Sequence, residues 1–189
     1  MAPPTKTVGR FHAVRFYESA DALARIVAEF VGDGLVSSQP GVIIAVPAHR
    51  DAVLAELRGL GFDIEQLQRE GRLFLIEASA LLAEFMVNGM PDPGRFRRAL
   101  VPIMEQACAG RPECHIRAYG EMVDVLWKAG HTVAATRLET LWNQLATTHT
   151  FSLLCGYSMG SFYKGAAQEE ICRQHTHIVS ATGEVATVN

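Results

Sequence analysis

Hydrophobic positions follow two patterns along the chain, short apolar runs and longer stretches with helical spacing. The run GVIIAVP at residues 41–47 is rich in β-branched residues and bounded by glycine and proline, which is typical of a strand buried on both faces. From Leu23 to Phe30, apolar side chains recur at i, i+3, i+4 and i+7, which predicts an amphipathic helix. The alternation predicts an α/β fold in three layers: a mostly parallel sheet of five or more strands with helices on both faces.

The predicted elements divide the chain into one main domain and two flanking segments. The predicted strands are residues 12–17, 41–47, 72–78, 114–119 and 151–157, and the predicted helices after the first are 51–60, 79–89, 96–109, 120–129 and 132–146. Beyond the last strand the sequence becomes polar and weakly patterned. We therefore predict a flexible N-terminus at 1–10, a domain at 11–163 and a C-terminal appendage at 164–189 whose last residues are frayed.

Composition and charge exclude several classes of protein. The 189 residues are 49% hydrophobic and 20% charged with a net charge of −3, values typical of a globular domain and unfavourable for nucleic-acid binding. No apolar run reaches the roughly 20 residues of a membrane span. Without an apolar signal segment we expect a cytoplasmic location and no membrane partner. The four cysteines form no CxxC pair, and we expect them to be reduced and mostly buried: Cys108, Cys114, Cys155 and Cys172.

Candidate ligand-binding residues lie where strands end. Tyr17 and Glu18 close the first predicted strand, and Tyr157 closes the last. Because ligands of open α/β sheets bind at the carboxyl ends of the strands, these residues could line a pocket for a small, mostly apolar molecule. The alternative is structural: Tyr17 anchors the following helix, and Ser19 caps it. His12, which opens the first strand, is a candidate for the same pocket or for the core.

Two further side chains stand out in apolar surroundings. Arg117 lies in the middle of an apolar strand, where burying its charge is costly without a partner, and Glu121 just beyond the strand is the nearest candidate. The two residues could orient a ligand or form a structural ion pair. Trp142 lies on the apolar stripe of the last long helix and could line a pocket, with core packing as the alternative.

The sequence offers weaker signals for metal binding and catalysis. Cys172, His175 and His177 form a C-x2-H-x-H cluster whose sulfur and imidazole groups suit a transition metal; the alternative is a surface helix end followed by a strand. GYSMG matches the G-x-S-x-G spacing with Ser158 at its centre, but no acid and base can be assigned to it. We therefore predict no catalytic residues and no cofactor.

Several segments in the same order resemble one known family. HAVRFYESADAL, GVIIAVP, FMVNGMPDPGRF, IRAYGEMVDVLWKAG and LCGYSMGSF, within residues 11 to 163, resemble the MEDS domain, a sensory domain named for methanogens, methylotrophs and the dichloromethane-pathway regulator DcmR. The tail EEICRQHTHIVSA resembles the segment that follows this domain in sensor histidine kinases.

A more distant resemblance concerns the RecA/KaiC group of ATPases. Residues 41–78 are similar to the second and third strand units of these proteins, which aligns FYESADALARIVAEF with their phosphate loop, GxxxxGK[ST]. That loop needs glycines for close backbone N–H contacts with phosphate and a lysine for charge, and the turn here has neither. The resemblance thus implies a RecA-like fold with a degenerate P-loop and no ATP hydrolysis.

The family resemblance implies a non-catalytic sensory module. Its expected ligand is a small, hydrocarbon-derived molecule. Its expected partner, reached in trans because no output domain is recognisable, is a histidine kinase or transcription regulator of the bacterial type. Two alternatives remain open. The first is a ligand-free, possibly homo-oligomeric, protein–protein adaptor on a KaiC-like scaffold, and the second is a metal or redox sensor through Cys172, His175 and His177.

Overall fold

Strands and helices alternate along most of the chain. The computed structural model describes residues 11–161, 165–180 and 182–188. The strands are β1 (His12–Tyr17), β2 (Gly41–Ala45), β3 (Leu73–Glu77), β4 (Met86–Val87), β5 (Met90–Pro91), β6 (Ile116–Gly120), β7 (Phe151–Ser158), β8 (His177–Val179) and β9 (Val185–Thr187). The helices are α1 (Ala20–Val36), α2 (Pro47–Gly59), α3 (Ile64–Arg69), α4 (Ala78–Phe85), α5 (Pro93–Cys108), α6 (Met122–Lys128), α7 (Thr132–Ala146) and α8 (Gly165–Arg173).

Seven of the strands in the described part of the chain form one twisted sheet. Their order is β3-β2-β6-β7-β1-β8-β9, and neighbouring strands are parallel except β8 and β9. Parallel neighbours need crossover connections, and helices provide them on both faces. One core lies between the sheet and α1, α2 and α3, and a second core lies between the sheet and α4 to α7. The predicted three-layer α/β fold is confirmed.

Local sequence signals explain where several helices begin. The Ser19 side chain caps α1 by accepting a hydrogen bond from the Ala22 N–H at 3.4 Å. Asp92 caps α5 in the same way, and Pro93 occupies the first helical position, where a missing N–H costs nothing. Helix α7 covers the residues that its apolar spacing predicts. Within the described ranges no helix is long and apolar enough to cross a membrane.

Two predicted helices differ from the structure in extent. The helix predicted to reach Gly89 ends at Phe85, because Asn88 and Gly89 both adopt positive φ angles, 50° and 78°, and turn the chain into the β4–β5 hairpin. The helix predicted from Asp51 begins four residues earlier, at Pro47, which is a favoured first residue of a helix.

The state of the cysteines also differs from the prediction. Cys108 and Cys114 form a disulfide, with their Cα atoms 5.4 Å apart, across the connection between α5 and β6. The chain reverses there at Gly110, whose φ of 72° favours glycine, and this turn brings the two sulfur atoms together. The expectation of four reduced cysteines is therefore wrong for this pair. Cys155 and Cys172 are free thiols.

The C-terminal segment belongs to the sheet instead of forming a separate appendage. Strand β8 pairs with β1 through Ala13 opposite His177 and Val14 opposite Ile178, and β9 pairs with β8. Pairing satisfies the backbone groups of β1, which would otherwise form an open sheet edge. The predicted frayed end thus contains a strand. The predicted N-terminal segment 1–10 and the predicted boundary at residues 163 and 164 lie outside the described residues.

Candidate functional site

A buried polar cluster lies where β1, β2, β6 and β7 end, at one edge of the sheet. Two of its members are carboxylates at the start of α6, directly after β6. We call this group the strand-end cluster; it consists of Tyr17, His49, Tyr119, Glu121, Asp124 and Lys128. The carboxyl edge of the sheet is where open α/β folds bind ligands, so this cluster is the first candidate for a functional site.

Asp124 connects the ends of two neighbouring strands. Its carboxylate accepts hydrogen bonds from the Tyr17 hydroxyl and from the Ser158 backbone N–H, both at 2.9 Å. It also forms an ion pair with Lys128 Nζ at 2.6 Å, and its side chain is only 3% exposed. Tyr17 closes β1 and Ser158 closes β7, so this carboxylate joins both strand ends to α6.

Glu121 fixes the end of β2 in the same manner. Its carboxylate accepts hydrogen bonds from the Val46 backbone N–H, from the Tyr119 hydroxyl at 3.0 Å and from His49 Nδ1 at 2.6 Å. The hydrogen bond to Glu121 is the main reason why the pKa of His49 is raised. Burial raises the pKa of Tyr119 and of Tyr17 well above the usual phenol value, so both phenols remain neutral hydrogen-bond donors.

Solvent reaches the strand-end cluster from one side. Lys128 is 47% exposed, His49 is partly exposed, and Glu18 at the end of β1 is exposed. The two carboxylates beneath them are saturated with protein donors, so neither is a free general base. The arrangement favours recognition of a ligand at the rim over acid–base chemistry.

A second polar cluster is buried on the face of the sheet that α7 covers. We call it the histidine–glutamate cluster; it consists of His12, Glu139, Cys155, Tyr157 and His175. Glu139 is central: its carboxylate lies 3.1 Å from His12 Nε2 and 3.3 Å from His175 Nε2, and it accepts a 2.7 Å hydrogen bond from the Tyr157 hydroxyl. One donor atom each from His12, Glu139, Cys155 and His175 lies within 4.8 Å of all the others, a donor set that could hold a metal ion.

Burial and charge act on these side chains in opposite directions. Burial raises the pKa of Glu139, but the adjacent His175 and His12 imidazoles lower it further, and the net pKa is well below the usual range. Burial followed by the negative charge of Glu139 raises the pKa of Cys155 and of Tyr157. The cluster therefore contains one buried carboxylate surrounded by neutral donors and two imidazoles.

The structure divides the predicted ligand residues between the two clusters. Tyr17 and Glu121 lie in the strand-end cluster, with Glu18 exposed beside it. His12 and Tyr157 lie in the histidine–glutamate cluster, and their polar atoms bond Glu139. The two predicted tyrosines thus bond different carboxylates.

Arg117 and Glu121 do not form the ion pair that the sequence suggested. The Arg117 side chain runs beneath α1, where its guanidinium carbon lies 5.2 Å from the centre of the Phe30 ring and its stem fills the space beside Gly34. Burial lowers the pKa of Arg117, and the charge of Asp33 opposes this effect. Alternation along β6 directs Arg117 to the face of the sheet that α1 covers, and Glu121 lies beyond the end of that strand.

Trp142 and the tail residues occupy structural positions. The Trp142 ring is 1% exposed and packs edge-on against Phe96 and Phe151, which is the core alternative. The suggested metal set of Cys172, His175 and His177 is not assembled, because His175 lies in the buried cluster whereas the His177 ring packs on Phe11 at 5.6 Å.

Several residues of both clusters were not among the sequence candidates. His49, Asp124 and Lys128 in the strand-end cluster were missed, although an aspartate inside the apolar stretch MVDVLW is a signal for a buried charge. Glu139 follows Ala135 by four residues and precedes Trp142 by three, so helical spacing places it on the buried face of α7.

Comparisons with known proteins identify the family. A family model named MEDS, described as the methanogen/methylotroph, DcmR sensory domain, matches residues 11–176. The chain belongs to the MEDS family. Membership in this family indicates a sensory or signalling role. No curated protein matches the chain.

Solved structures support the predicted relation to KaiC. A KaiC-like protein from Pyrococcus horikoshii is 13% identical with a TM-score of 0.55, and the match covers 89% of the MEDS chain and 70% of that protein. An uncharacterised protein from the same organism, solved in complex with an unknown peptide, is 12% identical with a TM-score of 0.63 and matches over 96% of the MEDS chain and 85% of its own. These similarities show the fold and confirm the KaiC-like, RecA-like architecture.

Proposed function

We propose that this MEDS chain is a non-catalytic sensory module that binds a small organic ligand at the rim of the strand-end cluster. The ligand class suggested by the family resemblance is hydrocarbon-derived, and the bound state is signalled in trans to a histidine kinase or transcription regulator. The rim residues assigned to the ligand are Glu18, His49 and Lys128, above the buried Tyr17.

One observation carries this proposal: the two buried carboxylates each hold a backbone N–H at the end of a neighbouring strand. Asp124 holds Ser158 of β7, and Glu121 holds Val46 of β2. Lys128 and His49 pair with these same carboxylates and are the members that solvent reaches. A ligand that attracts Lys128 or His49 therefore weakens the restraint on both strand ends, which converts binding into a change of shape at the sheet edge.

The absence of catalysis is supported by the turn between β1 and α1. Glu18 occupies the turn with a negative charge that repels phosphate, and the Ser19 hydroxyl already accepts a hydrogen bond from the first turn of the helix. A phosphate loop would instead present free N–H groups and a lysine. We therefore expect neither tight ATP binding nor ATP hydrolysis.

A thermal-shift screen tests the proposal. The probes are small alcohols, ketones, halogenated hydrocarbons and short carboxylic acids, with magnesium-ATP as the comparison. A ligand at 100 times its Kd stabilises the folded state by about 2.7 kcal/mol, which raises the Tm by roughly 5 to 10 °C for a domain of this size. The Lys128→Met variant should lose the shift. Arg173→Met is the matched control, because Arg173 is 67% exposed at the end of α8 and precedes the start of β8.

Two results would contradict the proposal. The first is magnesium-dependent ATP hydrolysis by the wild-type protein that disappears when Asp124 is replaced by asparagine. The second is a ligand-induced shift that Lys128→Met and Arg173→Met retain equally, since the rim lysine would then have no part in binding.

The second candidate function is a ligand-free adaptor that binds another protein. It is favoured by the related P. horikoshii structure, whose peptide complex associates this fold with a bound polypeptide. Stable binding of a purified histidine kinase or regulator to ligand-free protein, with no thermal shift for any small molecule, would support the adaptor. Sedimentation of the isolated chain would test the associated prediction of a homo-oligomer.

A further inference from the structure

We propose that His12, Glu139, Cys155 and His175 bind one divalent transition-metal ion, zinc by preference, between the sheet and α7. This site is separate from the strand-end cluster and goes beyond the proposed sensory function. Sulfur, imidazole and carboxylate ligands are the set that proteins use for zinc, and four ligands complete a closed tetrahedral site.

The spacing of the donor atoms fits a tetrahedral ion. His12 Nε2 lies 3.1 Å from Glu139 Oε2 and 3.2 Å from Cys155 Sγ, and Cys155 Sγ lies 3.6 Å from Glu139 Oε2. His175 Nε2 lies 3.3 Å from Glu139 Oε1. Zinc bonds of about 2.0 Å to nitrogen and oxygen and about 2.3 Å to sulfur imply separations of roughly 3.3 to 3.6 Å between ligands in a tetrahedron. The protein atoms already lie close to those separations.

Outer hydrogen bonds direct both imidazoles toward the centre of the cluster. His175 Nδ1 lies 2.7 Å from the Ile171 carbonyl, which can only accept, so this nitrogen carries the proton. His12 Nδ1 lies 2.8 Å from Asn143 Oδ1, and the Asn143 amide is oriented by donating to the Gln174 carbonyl at 2.9 Å. Both neutral imidazoles therefore point an Nε2 lone pair inward, as metal-binding histidines with carbonyl partners do.

One buried nitrogen lacks a hydrogen-bond partner in the described structure. The His175 side chain is 0% exposed, and its Nε2 accepts or donates no hydrogen bond. The nearest polar atom, Glu139 Oε1, is also an acceptor and already receives the Tyr157 hydroxyl. Two lone pairs that face each other at 3.3 Å repel unless a cation lies between them. A metal ion satisfies both, together with the His12 and Cys155 donor atoms.

A metal at this position would join parts of the chain that are distant in sequence. His12 is in β1, Cys155 is in β7, Glu139 is in α7, and His175 lies between α8 and β8. Because unfolded chains do not hold these ligands together, binding free energy would appear as folding free energy. The ion would fix the C-terminal segment against the core.

Metal content and cobalt spectroscopy test the site. Wild-type protein, produced without a histidine tag and dialysed against a weak chelator, should retain one zinc per chain by mass spectrometry of the metal. Replacement by cobalt should give a thiolate-to-cobalt charge-transfer band and the intense visible bands of tetrahedral cobalt. Cys155→Ser should abolish the charge-transfer band, and His175→Gln should weaken metal affinity at least about 100-fold. The matched controls Cys172→Ser and His177→Gln should keep both properties.

Two further measurements keep the test decisive if a ligand variant fails to fold. Asn143→Ala removes only an outer partner of His12 and should lower metal affinity about 10- to 100-fold. In the folded Cys172→Ser background, bound zinc should slow alkylation of Cys155 under mild denaturation. Wild-type protein that takes up no zinc or cobalt after reconstitution would overturn the proposal. Equal metal loading of wild type and Cys155→Ser would also overturn it.

Discussion

Removal of the Tyr17 hydroxyl tests whether the strand-end cluster holds the sheet edge together. The hydroxyl donates to Asp124 at 2.9 Å and lies 3.2 Å from Lys128 Nζ, and Tyr17 is buried. Tyr17→Phe keeps the ring and its packing but deletes the hydrogen bond to a charged group. Such bonds contribute about 1.5 to 3 kcal/mol. We expect the lower half of that range, because Lys128 and the Ser158 N–H still compensate the Asp124 charge.

Urea unfolding followed by circular dichroism measures this change. The midpoint should fall while the slope of free energy against urea stays constant, because the surface exposed on unfolding is unchanged. In a thermal scan the Tm should fall by about 2 to 4 °C per kcal/mol for a domain of this size. In an Asp124→Ala background, the same tyrosine substitution should cost little, which gives a coupling free energy of about 1 to 2 kcal/mol.

The coupling between Tyr17 and Asp124 is the quantity that could refute this reasoning. If Tyr17→Phe changes the free energy of unfolding by less than about 0.5 kcal/mol, the hydroxyl is no more important than an exposed surface group. If it costs the same with and without Asp124, the effect comes from ring packing instead of the hydrogen bond.

Three further predictions concern other parts of the fold. Because the hydrogen bond to Glu121 raises the pKa of His49, this pair stabilises the fold fully below about pH 6.5, the unfolded-state pKa, and loses that contribution as pH rises through the raised folded-state value. The difference in unfolding free energy between wild type and His49→Gln should shrink over that interval, and a constant difference would contradict the assignment. Reduction of the Cys108–Cys114 disulfide should lower the free energy of unfolding by roughly 2 kcal/mol, from the closure entropy of a short loop; an unchanged urea midpoint would argue against the bond. Trp142→Ala should cost about 3 to 5 kcal/mol, because the ring is buried between two aromatic neighbours; a loss below about 1 kcal/mol would contradict a core position.

The sequence predicted the layers of the fold because their signals are local. The apolar run at residues 41–45 has no polar position, which only a strand buried on both faces tolerates. Helix α7 shows an uninterrupted apolar period from Ala134 to Leu145. The β4–β5 hairpin was missed although Asn88 and Gly89 form a strong turn signal, since the apolar residues before them also fit a helix.

The polar clusters were harder to predict because their members meet only in the folded sheet. His12 and His175 lie at opposite ends of the chain, and β8 must add beside β1 before their rings approach to 4.2 Å. Arg117 and Glu121 are close in sequence, yet the strand directs the arginine beneath α1. One sequence contains the period of each element but not the register between distant elements, and that register decides which charges are paired.

The most direct test of the proposed sensory site is an amide-resolved NMR titration with a small organic molecule that raises the Tm. We predict that the signals of Val46 and Ser158 shift first, because their N–H groups bond the two buried carboxylates. The same titration of Lys128→Met should leave both signals unchanged. Shifts confined to amides far from the strand-end cluster, or equal shifts in the Lys128→Met protein, would contradict a ligand site at this edge of the sheet.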